Sequence, residues 1–349
     1  MGDTWAVRLL AWYRAHRRAM PWRDNPDPYA VWLSEIMLQQ TQVDTVIPYF
    51  ERFLARFPTI RSLAEADEQE VLRLWQGLGY YSRARRLQAT AQALVRAHAG
   101  RLPDSYEALL ALPGFGPYTA AAVASIVYAQ PVPVVDGNVL RVFARYWGLA
   151  EDIAQPKTRA LLFDRLLPAI APHPPADFNQ AIMELGALVC RPSNPDCLLC
   201  PLQPDCVAAN TGRVAELPVK SKRKPIPHHQ VAAALVWRGD AMLVVQRPAE
   251  GMLGGMWELP GGRQGEDESL PAALLRHVHR ATGLLVEVGD ERCAVGHTFS
   301  HFSITVHLFE AICKGGDLEA QRWLTPGQIP SLPFSRVTLK LFQALRLLA

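Results

Sequence analysis

The sequence lacks the features that mark exported and membrane proteins. Its first residues interleave charged side chains with Trp5, and no apolar core with a small-residue cleavage site follows. The longest apolar stretch, residues 119–135, is interrupted by Tyr128, Gln130 and two prolines, so it is too short and too broken to predict a membrane span. We therefore expect a cytoplasmic protein without a membrane segment.

The chain also has little net charge. It contains 36 Lys and Arg against 33 Asp and Glu, which gives a formal net charge of +3. This balance is compatible with a nucleic-acid partner but does not require one. With 349 residues, of which 49% are hydrophobic and 20% charged, the chain is long enough for two globular domains.

Cysteine is scarce, and most of it is concentrated in one segment. Four of the 6 cysteines lie between residues 190 and 206, whereas Cys293 and Cys313 stand alone. In a cytoplasmic chain such clustering favours a metal site over disulfides. Four thiolates suit either Zn²⁺ or an iron–sulfur cluster, and their spacing alone does not choose between the two. The predicted ligands are Cys190, Cys197, Cys200 and Cys206.

Hydrophobic periodicity predicts a helical region followed by a region of strands. Residues 1–212 carry apolar residues at three- and four-residue spacings and show no strand-like alternation. The helical stretches are 31–46, 71–75, 87–95 and 119–129. Residues 230–349 contain a predicted helix at 270–282 among β-rich runs. These strands are predicted at 231–237, 242–246, 285–288 and 304–311. We expect a multidomain chain in which an all-α domain precedes an α+β domain.

Residues 213–229 differ from both regions. They hold five basic residues, one acidic residue and three prolines, with almost no apolar periodicity. This composition predicts a linker. Two roles remain open for it, a solvated tether or a tether that also contacts phosphate.

A glycine-rich hairpin lies between two helical stretches, at residues 112–120 (LPGFGPYTA). Gly114 and Gly116 permit positive φ and a tight reversal, and Pro117 suits the first position of the following helix. Backbone N–H groups at that helix start can bind phosphate, so the hairpin can hold a DNA backbone without reading its sequence. The alternative is a helix-turn-helix corner with no ligand.

These motifs together resemble a known family. The hairpin, residues 135–139 (VDGNV) and the cysteine spacing resemble the endonuclease III superfamily of helix-hairpin-helix DNA glycosylases. Within that superfamily, residues 21–23 (PWR), 34–43 (SEIMLQQTQV) and 77–81 (GLGYY) resemble adenine DNA glycosylases of the MutY type. The resemblance covers essentially the whole chain. It implies that the cysteine segment, residues 190–206, holds a [4Fe–4S] cluster, with zinc as the alternative.

Base excision by such an enzyme requires two carboxylates. Breaking the N-glycosidic bond to adenine needs a proton on the base and a negative charge near the oxocarbenium-like sugar. Glu35 lies in an apolar helical stretch, where burial should raise its pKa and keep it protonated as a general acid. The alternative is a Glu on a solvated helix face. General acid catalysis contributes roughly 10²–10⁴-fold, whereas enzymes supply at least about 10⁶-fold, so a second carboxylate is required.

Asp136 is the natural second carboxylate. It precedes Gly137 at a turn or helix start, where the ordinary role of an Asp is an N-cap. The resemblance instead makes it the group that stabilises the sugar cation, and makes Asn138 and Tyr118 the residues that orient water and carboxylates. Tyr118 also stands where strand-cleaving relatives carry a Lys nucleophile. Because a phenol cannot form a Schiff base, we expect a monofunctional glycosylase.

The resemblance further implies a pocket for a base flipped out of the duplex. Trp22 would stack on the flipped adenine, and Arg23 and Gln180 would hydrogen-bond it. Ordinary core packing is the alternative for Trp22, and also for Tyr80. The residues expected to fill the vacated stack are Gln40 and Tyr80, and those expected to contact the opposite base are Thr41 and Leu78.

Residues 254–262 open a segment that resembles a Nudix domain. Nudix hydrolases carry the pattern G-x5-E-x7-R-E-U-x-E-E-x-G-U, in which U is a bulky aliphatic residue. The frame residues present are Gly262, Glu268, Arg276 and Gly283. Three acidic positions are instead His277, Arg280 and Ala281. Because Mg²⁺ needs oxygen ligands, we expect a binding module and no hydrolase.

Phe299, Ser300 and His301 resemble the loop with which the family reads 8-oxoguanine. The lesion carries a proton on N7, where guanine offers only an acceptor, and a Ser hydroxyl can accept from that donor. The alternative is an ordinary polar loop. The expected substrate is therefore double-stranded DNA with A:8-oxoguanine or A:G mispairs, bound by a monomer in base excision repair.

Three other functions agree less well with the sequence. A DNA-binding module without catalysis is disfavoured by the presence of both Glu35 and Asp136. A nucleotide hydrolase is disfavoured by the missing acids of the Nudix pattern. A thymine- or pyrimidine-directed glycosylase of the same superfamily is disfavoured by the C-terminal domain and its Phe-Ser-His loop.

Overall fold

The structure, a computed structural model, describes residues 4–23, 27–221 and 225–348. The chain divides into two compact units. The helical unit comprises residues 1–65 and 86–223, and the mixed-sheet unit comprises residues 66–85 and 224–349. The segment 66–85 thus groups with the C-terminal part of the chain, although we assigned it to the domain at 1–212. A strand begins at His228, so the last two residues of the predicted linker at 213–229 belong to the sheet. The rest of the linker stays a prediction, and its residues 222–224 lie outside the described residues.

Helices make up the regular structure of the described residues before residue 222. They are α1 Thr4–His16, α2 Pro28–Leu38, α3 Val43–Arg56, α4 Ile60–Ala64, α5 Glu68–Trp75, α6 Ser82–Ala97, α7 Tyr106–Leu110, α8 Pro117–Tyr128, α9 Gly137–Tyr146, α10 Pro156–Ile170, α11 Pro175–Leu188 and α12 Val207–Asn210. Short 3₁₀ turns cover Cys197–Leu199 and Gln203–Asp205. Of the helices, α5 belongs to the mixed-sheet unit.

One core of the helical unit is formed by α1, α9, α10 and α11. Trp5 of α1 packs edge-on against Phe143 of α9, with ring centroids 5.3 Å apart, and lies beside Phe178 of α11. Phe143 and Phe178 are fully buried. Burial of each such side chain stabilises the fold by about 1.5–3 kcal/mol, so these contacts fix α9 and α11 against each other.

The single helical stretch predicted at 31–46 is wrong. The structure has two helices there, because α2 ends at Leu38 and α3 begins at Val43. Gln40 between them has a φ of +58°, in the left-handed region that ends a right-handed helix. Apolar periodicity persists across the break because both helices bury an apolar face. The pattern therefore could not reveal that Gln40 and Thr41 lie in a loop.

The rest of the mixed-sheet unit contains the strands β1 His228–Arg238, β2 Ala241–Gln246, β3 Trp257–Glu258, β4 Gly261–Arg263, β5 Leu285–Thr298, β6 Ser303–Gly315 and β7 Arg322–Leu324, with the helices α13 Leu270–Thr282 and α14 Arg336–Ala344. A 3₁₀ helix covers Pro326–Ser331. The sheet order is β3-β2-β1-β6-β5, with β4 beside β1 and β7 beside β2. The β1–β6 pair is parallel and the other pairs are antiparallel. This is the α+β domain that the sequence predicts.

Both faces of the sheet are covered by helices. Successive side chains of a strand point to opposite faces, and β1 shows this division clearly. Ala232, Ala234 and Val236 pack in the cluster that contains residues of α13, whereas Ala233 and Leu235 pack in the cluster that contains residues of α14. A strand buried on both faces explains why residues 231–237 are continuously apolar. Among the described residues of the chain, no helix is both long and apolar enough to cross a bilayer.

Candidate active site

A cavity of about 620 Å³ opens in the helical unit and is lined by most of the residues predicted for catalysis and base binding. Its walls come from α2, α8, α9 and α11 and from the loops before α2 and α3. The predicted residues that line it are Trp22, Arg23, Glu35, Thr41, Tyr118, Asp136, Asn138 and Gln180. Residues separated by more than a hundred positions in the chain therefore meet around one space.

Glu35 is the buried acid of this cavity. It lies on α2, whose start is capped by Asp27 and whose side chains from Tyr29 to Met37 are buried. Only 5% of Glu35 is exposed, so the alternative of a solvated helix face is wrong. Burial raises the pKa of Glu35 to about 7, with a further rise from Asp136, while Tyr118 and Arg23 act in the opposite direction. A carboxyl group with this pKa can carry a proton near neutral pH.

Tyr118 holds one oxygen of that acid. Its hydroxyl donates to Glu35 Oε2 at 2.6 Å, and burial together with the nearby carboxylates keeps the pKa of the phenol well above its usual value. The phenol is therefore a permanent donor. Because Oε2 is occupied, Oε1 of Glu35 is the oxygen that can carry a transferable proton.

Asp136 is the N-cap of α9, as its ordinary interpretation predicts. Its Oδ1 accepts from Val139 N at 2.7 Å, and its Oδ2 accepts from Asn138 Nδ2 at 2.9 Å. Burial raises the pKa of Asp136, and these hydrogen bonds oppose that rise. The carboxylate also lines the cavity, so capping and a role in catalysis are compatible in one side chain.

Asn138 is itself fixed by a residue that sequence reasoning missed. Arg141 Nη2 donates to Asn138 Oδ1 at 2.8 Å and to Gly186 O at 2.8 Å, and Arg141 Nε donates to Cys190 O at 2.7 Å. A Cβ on Gly186 would stand 2.6 Å from Asn138 Cβ, so glycine is needed where α11 approaches α9. The orientation of the Asn138 amide is thereby determined by its neighbours.

Trp22 of the candidate base pocket belongs to the hydrophobic core and also lines the cavity. Trp22 is 6% exposed and packs edge-on against Phe50, with ring centroids 5.3 Å apart, yet it also lines the cavity. Core packing and base stacking are therefore compatible for Trp22. Arg23 is held by Glu184, a buried acid that sequence reasoning also missed. Neither Glu184 nor its second partner Arg18 stands in a motif that would have revealed the pairing.

The hairpin joins α7 to α8 and uses its two glycines differently. Gly114 has a φ of +83°, and a Cβ there would lie 2.9 Å from Thr90 Oγ1. Gly116 has a φ of −107° and is the N-cap of α8, with Pro117 as the first helical residue. No side chain caps this helix start, and nothing lies within 4 Å of a Cβ added at Gly116. A start of this kind presents its N–H groups to an anion.

The four clustered cysteines line one cavity of the helical unit together with Arg145. None of them forms a disulfide, and Arg145 Nη1 lies 3.4 Å from Cys190 Sγ. Among the described residues, no three His, Cys, Asp or Glu side chains are grouped so as to hold a metal ion. Zinc would require all four sulfurs about 2.3 Å from one point, whereas a cluster spreads its thiolates over separate irons. Four soft thiol ligands around one cavity are compatible with a metal centre.

The mixed-sheet unit holds the predicted residues Leu78, Tyr80, Phe299, Ser300 and His301. Leu78 is buried there, while Tyr80 is 45% exposed and its hydroxyl lies 3.0 Å from Ser300 Oγ. Ser300 and His301 are exposed in the short loop between β5 and β6, which is closed by a hydrogen bond from Phe299 N to the carbonyl of residue 302 at 2.8 Å. The structure thus brings together two residues that we selected from separate motifs.

The two residues expected to fill the vacated stack share a left-handed backbone conformation. Gln40 has a φ of +58° and Tyr80 a φ of +48°, and both side chains are exposed. A left-handed conformation costs energy for any residue other than glycine, and such strain tends to occur at functional sites. Six other non-glycine residues of the described chain also have a positive φ, so the conformation alone assigns no role to either side chain.

In the remnant of the Nudix pattern the remaining glutamate pairs with an arginine, and His277 and Arg280 occupy acidic positions of the pattern. Glu268 accepts from Arg276 Nη2 at 2.6 Å and from Arg276 Nε at 2.7 Å, and these hydrogen bonds lower the pKa of Glu268 to about 2. His277 packs against Gly262, where a Cβ would lie 2.4 Å from the imidazole. Arg280 Nη2 lies 2.9 Å from His277 Nδ1. A site of this composition does not provide the oxygen ligands that Mg²⁺ needs.

Comparisons with known proteins agree with this description. Residues 33–168 match the family model of the HhH-GPD superfamily base excision DNA repair proteins, and residues 232–344 match that of the NUDIX domain. The chain is 36% identical to the adenine DNA glycosylase of Homo sapiens, over 96% of this chain and 72% of that protein. It is 30% identical to the adenine DNA glycosylase of Schizosaccharomyces pombe, over 96% of this chain and 88% of that protein.

Two solved structures share the fold of the helical part. A thermostable thymine-DNA glycosylase superposes with a TM-score of 0.56 at 26% identity, covering 60% of this chain and 96% of its own. An endonuclease III trapped as a covalent intermediate with DNA superposes with a TM-score of 0.51 at 19% identity, covering 59% of this chain and 94% of its own. The chain is thus a DNA glycosylase of base excision repair and belongs to the adenine DNA glycosylase (MutY) family, with a helix-hairpin-helix domain and a Nudix-like domain.

Proposed function

We propose that this enzyme hydrolyses the N-glycosidic bond of adenine mispaired with 8-oxoguanine or guanine, acting as a monomer on double-stranded DNA. The observation that carries the proposal is the pair of carboxyl groups in one cavity. Glu35 is a buried acid with a pKa of about 7, and Asp136 is an oriented carboxylate that lines the same space.

Each carboxyl group has one task in the reaction. Glu35 gives the proton on Oε1 to a ring nitrogen of the flipped adenine, and the electrons of the C1′–N9 bond leave with the base. Asp136 stabilises the positive charge that develops on the sugar. Water then adds to C1′ and its proton passes to the Glu35 carboxylate, which restores the acid. The product is an abasic sugar in an intact strand, because Tyr118 cannot form a Schiff base.

The other residues recognise the substrate. Trp22, Arg23 and Gln180 bind the flipped adenine, while Gly114 and Gly116 hold the DNA backbone. Ser300 reads the N7 proton of 8-oxoguanine, and its contact with Tyr80 supports a shared role of the two side chains. The residues proposed to fill or contact the interrupted stack are Gln40, Thr41, Leu78 and Tyr80, and those proposed to flank Ser300 are Phe299 and His301.

Cys190, Cys197, Cys200 and Cys206 would hold a [4Fe–4S] cluster. When bound, such a cluster cross-links the segment 190–206 and so stabilises this part of the fold. Purified protein should contain four irons and four acid-labile sulfides per chain, following from the formula of the cluster. Zinc in place of iron would contradict this assignment.

Glu35→Gln tests the catalytic proposal directly. Gln keeps the size and can accept from Tyr118 but has no proton to give, so single-turnover excision from A:8-oxoguanine duplex should fall by at least about 10³-fold. Affinity for the same duplex should persist. The matched control is Glu65→Gln, the same change at an exposed position of the helical unit. Near wild-type excision by Glu35→Gln would refute the assignment.

Ser300→Ala tests lesion recognition in the full chain. Deletion of residues 224–349 is less suitable, because Gln69 of α5 bonds to Gly255 and Trp257 and would lose these partners. We expect the preference for A:8-oxoguanine over A:G to fall about tenfold, the value of one lost base contact. Ser331→Ala, at an exposed serine of the same unit, is the control. An unchanged preference would contradict the role of Ser300.

The absence of strand cleavage has its own test. Borohydride added during the reaction traps any Schiff base between enzyme and DNA. We expect no covalent adduct with the wild-type protein, and a robust adduct would show that the enzyme is not monofunctional.

A further inference from the structure

Glu184 of α11 carries the densest set of hydrogen bonds to any carboxylate lining the catalytic cavity in the described part of the chain. Its side chain is 2% exposed. Arg18 donates to it from the backbone N, Nε and Nη2, each at 2.9 Å. Arg23 donates from Nη2 at 3.0 Å and from Nη1 at 3.3 Å. One carboxylate therefore binds two guanidinium groups.

These bonds fix Arg23 where the base is proposed to bind. The Arg23 side chain is 10% exposed, its Nη1 also donates to Arg18 O at 2.9 Å, and its guanidinium lies 5.6 Å from the Tyr13 ring centroid. A guanidinium held on several sides by acceptors has little rotational freedom left. The contacts therefore fix the orientation of the Arg23 guanidinium at the wall of the cavity.

Glu184 and its two arginine partners also contribute to the net charge around the cavity. Two uncompensated guanidinium groups would oppose the arrival of a proton on adenine and would favour ionisation of Glu35. Burial acts to raise the pKa of Glu184, but the hydrogen bonds from Arg18 and Arg23 outweigh it and lower that pKa to about 2. Glu184 is therefore an anion throughout the working pH range, and it cancels one of the two positive charges.

We propose that Glu184 is a positioning residue that holds Arg18 and Arg23 as walls of the base pocket and offsets their charge, so that Glu35 keeps its proton until adenine takes it. The inference rests on the proposed function of Glu35. The groups that act on Glu35 are Tyr118 from α8, Asp136 at the start of α9 and Arg23 from the loop after α1. The other charged residues around the cavity are Arg17, Arg18, Asp44, Asp177 and Glu184.

Glu184→Gln separates this role from mere packing. Loss of the negative charge leaves Arg18 and Arg23 without their shared carboxylate, and their positive charge then lowers the pKa of Glu35. The alkaline limb of the pH profile of single-turnover excision should therefore move to lower pH by about one unit. The excision rate at neutral pH should fall about 100-fold because Arg23 is released. Glu65→Gln makes the same change at an exposed site and should leave the limb in place. If the alkaline limb of Glu184→Gln lies at the same pH as that of the wild type, the proposal is overturned, even if the excision rate is reduced.

Two further variants test the charge argument if Glu184→Gln does not fold. Arg18→Met removes one of the two cations and leaves Glu184 on Arg23, so the limb should move to higher pH. Glu184→Asp keeps the charge with a shorter reach, so it should lose rate while its limb stays within about 0.3 pH units of wild type. The proposal is contradicted if the alkaline limb of Arg18→Met stays at the wild-type pH. It is also contradicted if the limb of Glu184→Asp moves to lower pH by as much as expected for Glu184→Gln.

Measuring Glu35→Gln in the same assay distinguishes a failure of the proposed function from a failure of the proposed role of Glu184. An active Glu35→Gln variant would contradict the proposed function itself. An inactive Glu35→Gln variant together with an unmoved limb in Glu184→Gln would contradict only the role of Glu184.

Discussion

Two glutamates of this chain, one in each unit, show how the surroundings decide what a carboxyl group can do. Glu35 is buried, has a phenol as its hydrogen-bond partner, and has a pKa of about 7. Glu268 lies near the surface, binds Arg276 through both oxygens, and has a pKa of about 2. The first can exchange a proton at neutral pH and the second cannot.

The difference has a simple physical origin. Burial beside a neutral donor favours the protonated acid, whereas a bidentate guanidinium favours the anion. The Nudix-like site retains a glutamate of its pattern but has His277 and Arg280 where hydrolases have acids, so its one carboxylate is used to hold Arg276. Presence of a carboxylate in a motif is thus insufficient evidence of catalysis, and its environment is the better criterion. The following predictions test this contrast, in order of decreasing effect.

Asp136→Asn tests whether the negative charge of Asp136 contributes to catalysis in addition to the capping of α9. Asn caps a helix about as well as Asp, so α9 should remain intact and the Tm should change by no more than about 3 °C. Without the negative charge near the sugar, single-turnover excision should fall about 10³-fold. Excision at near wild-type rate, with the cap preserved, would show that Asp136 serves only the fold.

The raised pKa of Glu35 should be visible in stability. Its pKa is about 7 in the folded protein against an ordinary value of 4.5, so the stability that its protonated form confers is lost as pH rises through 7. Relative to wild type, Glu35→Gln should therefore gain about 2 kcal/mol in free energy of unfolding of the helical unit between pH 5 and pH 8. Chemical denaturation at the two pH values measures this gain. A difference that does not change with pH would contradict the assigned pKa.

Tyr118→Phe removes the hydroxyl that donates to Glu35 and leaves Glu35 buried. The Tyr118 hydroxyl lowers the pKa of Glu35, so its removal should raise that pKa and move the alkaline limb of excision to higher pH. We expect the rate at neutral pH to fall about tenfold because the acid is no longer oriented. The pH–rate profile checks both effects, and a shift to lower pH would show that the hydrogen bond does not act as described.

Glu268→Gln should have the smallest effect. The side chain of Arg276 is exposed, and surface ion pairs of this kind contribute little to stability. We expect a change in Tm of less than about 2 °C, with no difference between pH 5 and pH 8, and excision from A:G duplex within about twofold of wild type. Addition or removal of Mg²⁺ should leave these values unchanged. If Mg²⁺ changed the Tm, the Nudix-like site would still bind a metal ion, and Glu268 would no longer differ from Glu35 in lacking a functional role.

Features with a local signal in the sequence were predicted well. The helix at residues 270–282 lies where it was expected, because Ser269 caps its start and Gly283, with a φ of +71°, ends it. Burial of Glu35 followed from its apolar neighbours. β5 extends to Thr298, well beyond the predicted end at residue 288, since its outer half is held by pairing with β6 and not by an apolar pattern.

Features that depend on distant residues could not be predicted. Arg18 and Glu184 are separated by 166 positions, and nothing near either residue indicates the other. The same is true of the contact between Tyr80 and Ser300, which are 220 positions apart. Gln40 was placed in a helix because apolar spacing continues across a break that only the backbone conformation reveals.

The helix α11 makes the candidate active site intolerant of insertions. Four of its residues reach the site. Asn179 accepts from Val134 N at 2.9 Å just before Asp136, Gln180 and Glu184 line the cavity, and Met183 Sδ lies 3.9 Å from the Tyr118 hydroxyl. One additional residue within α11 would rotate everything beyond it by about 100°. Lineages of this enzyme should therefore vary in length at the ends of α11 and not within it, so that the proposed base pocket, Glu35 and Asp136 keep their relative positions.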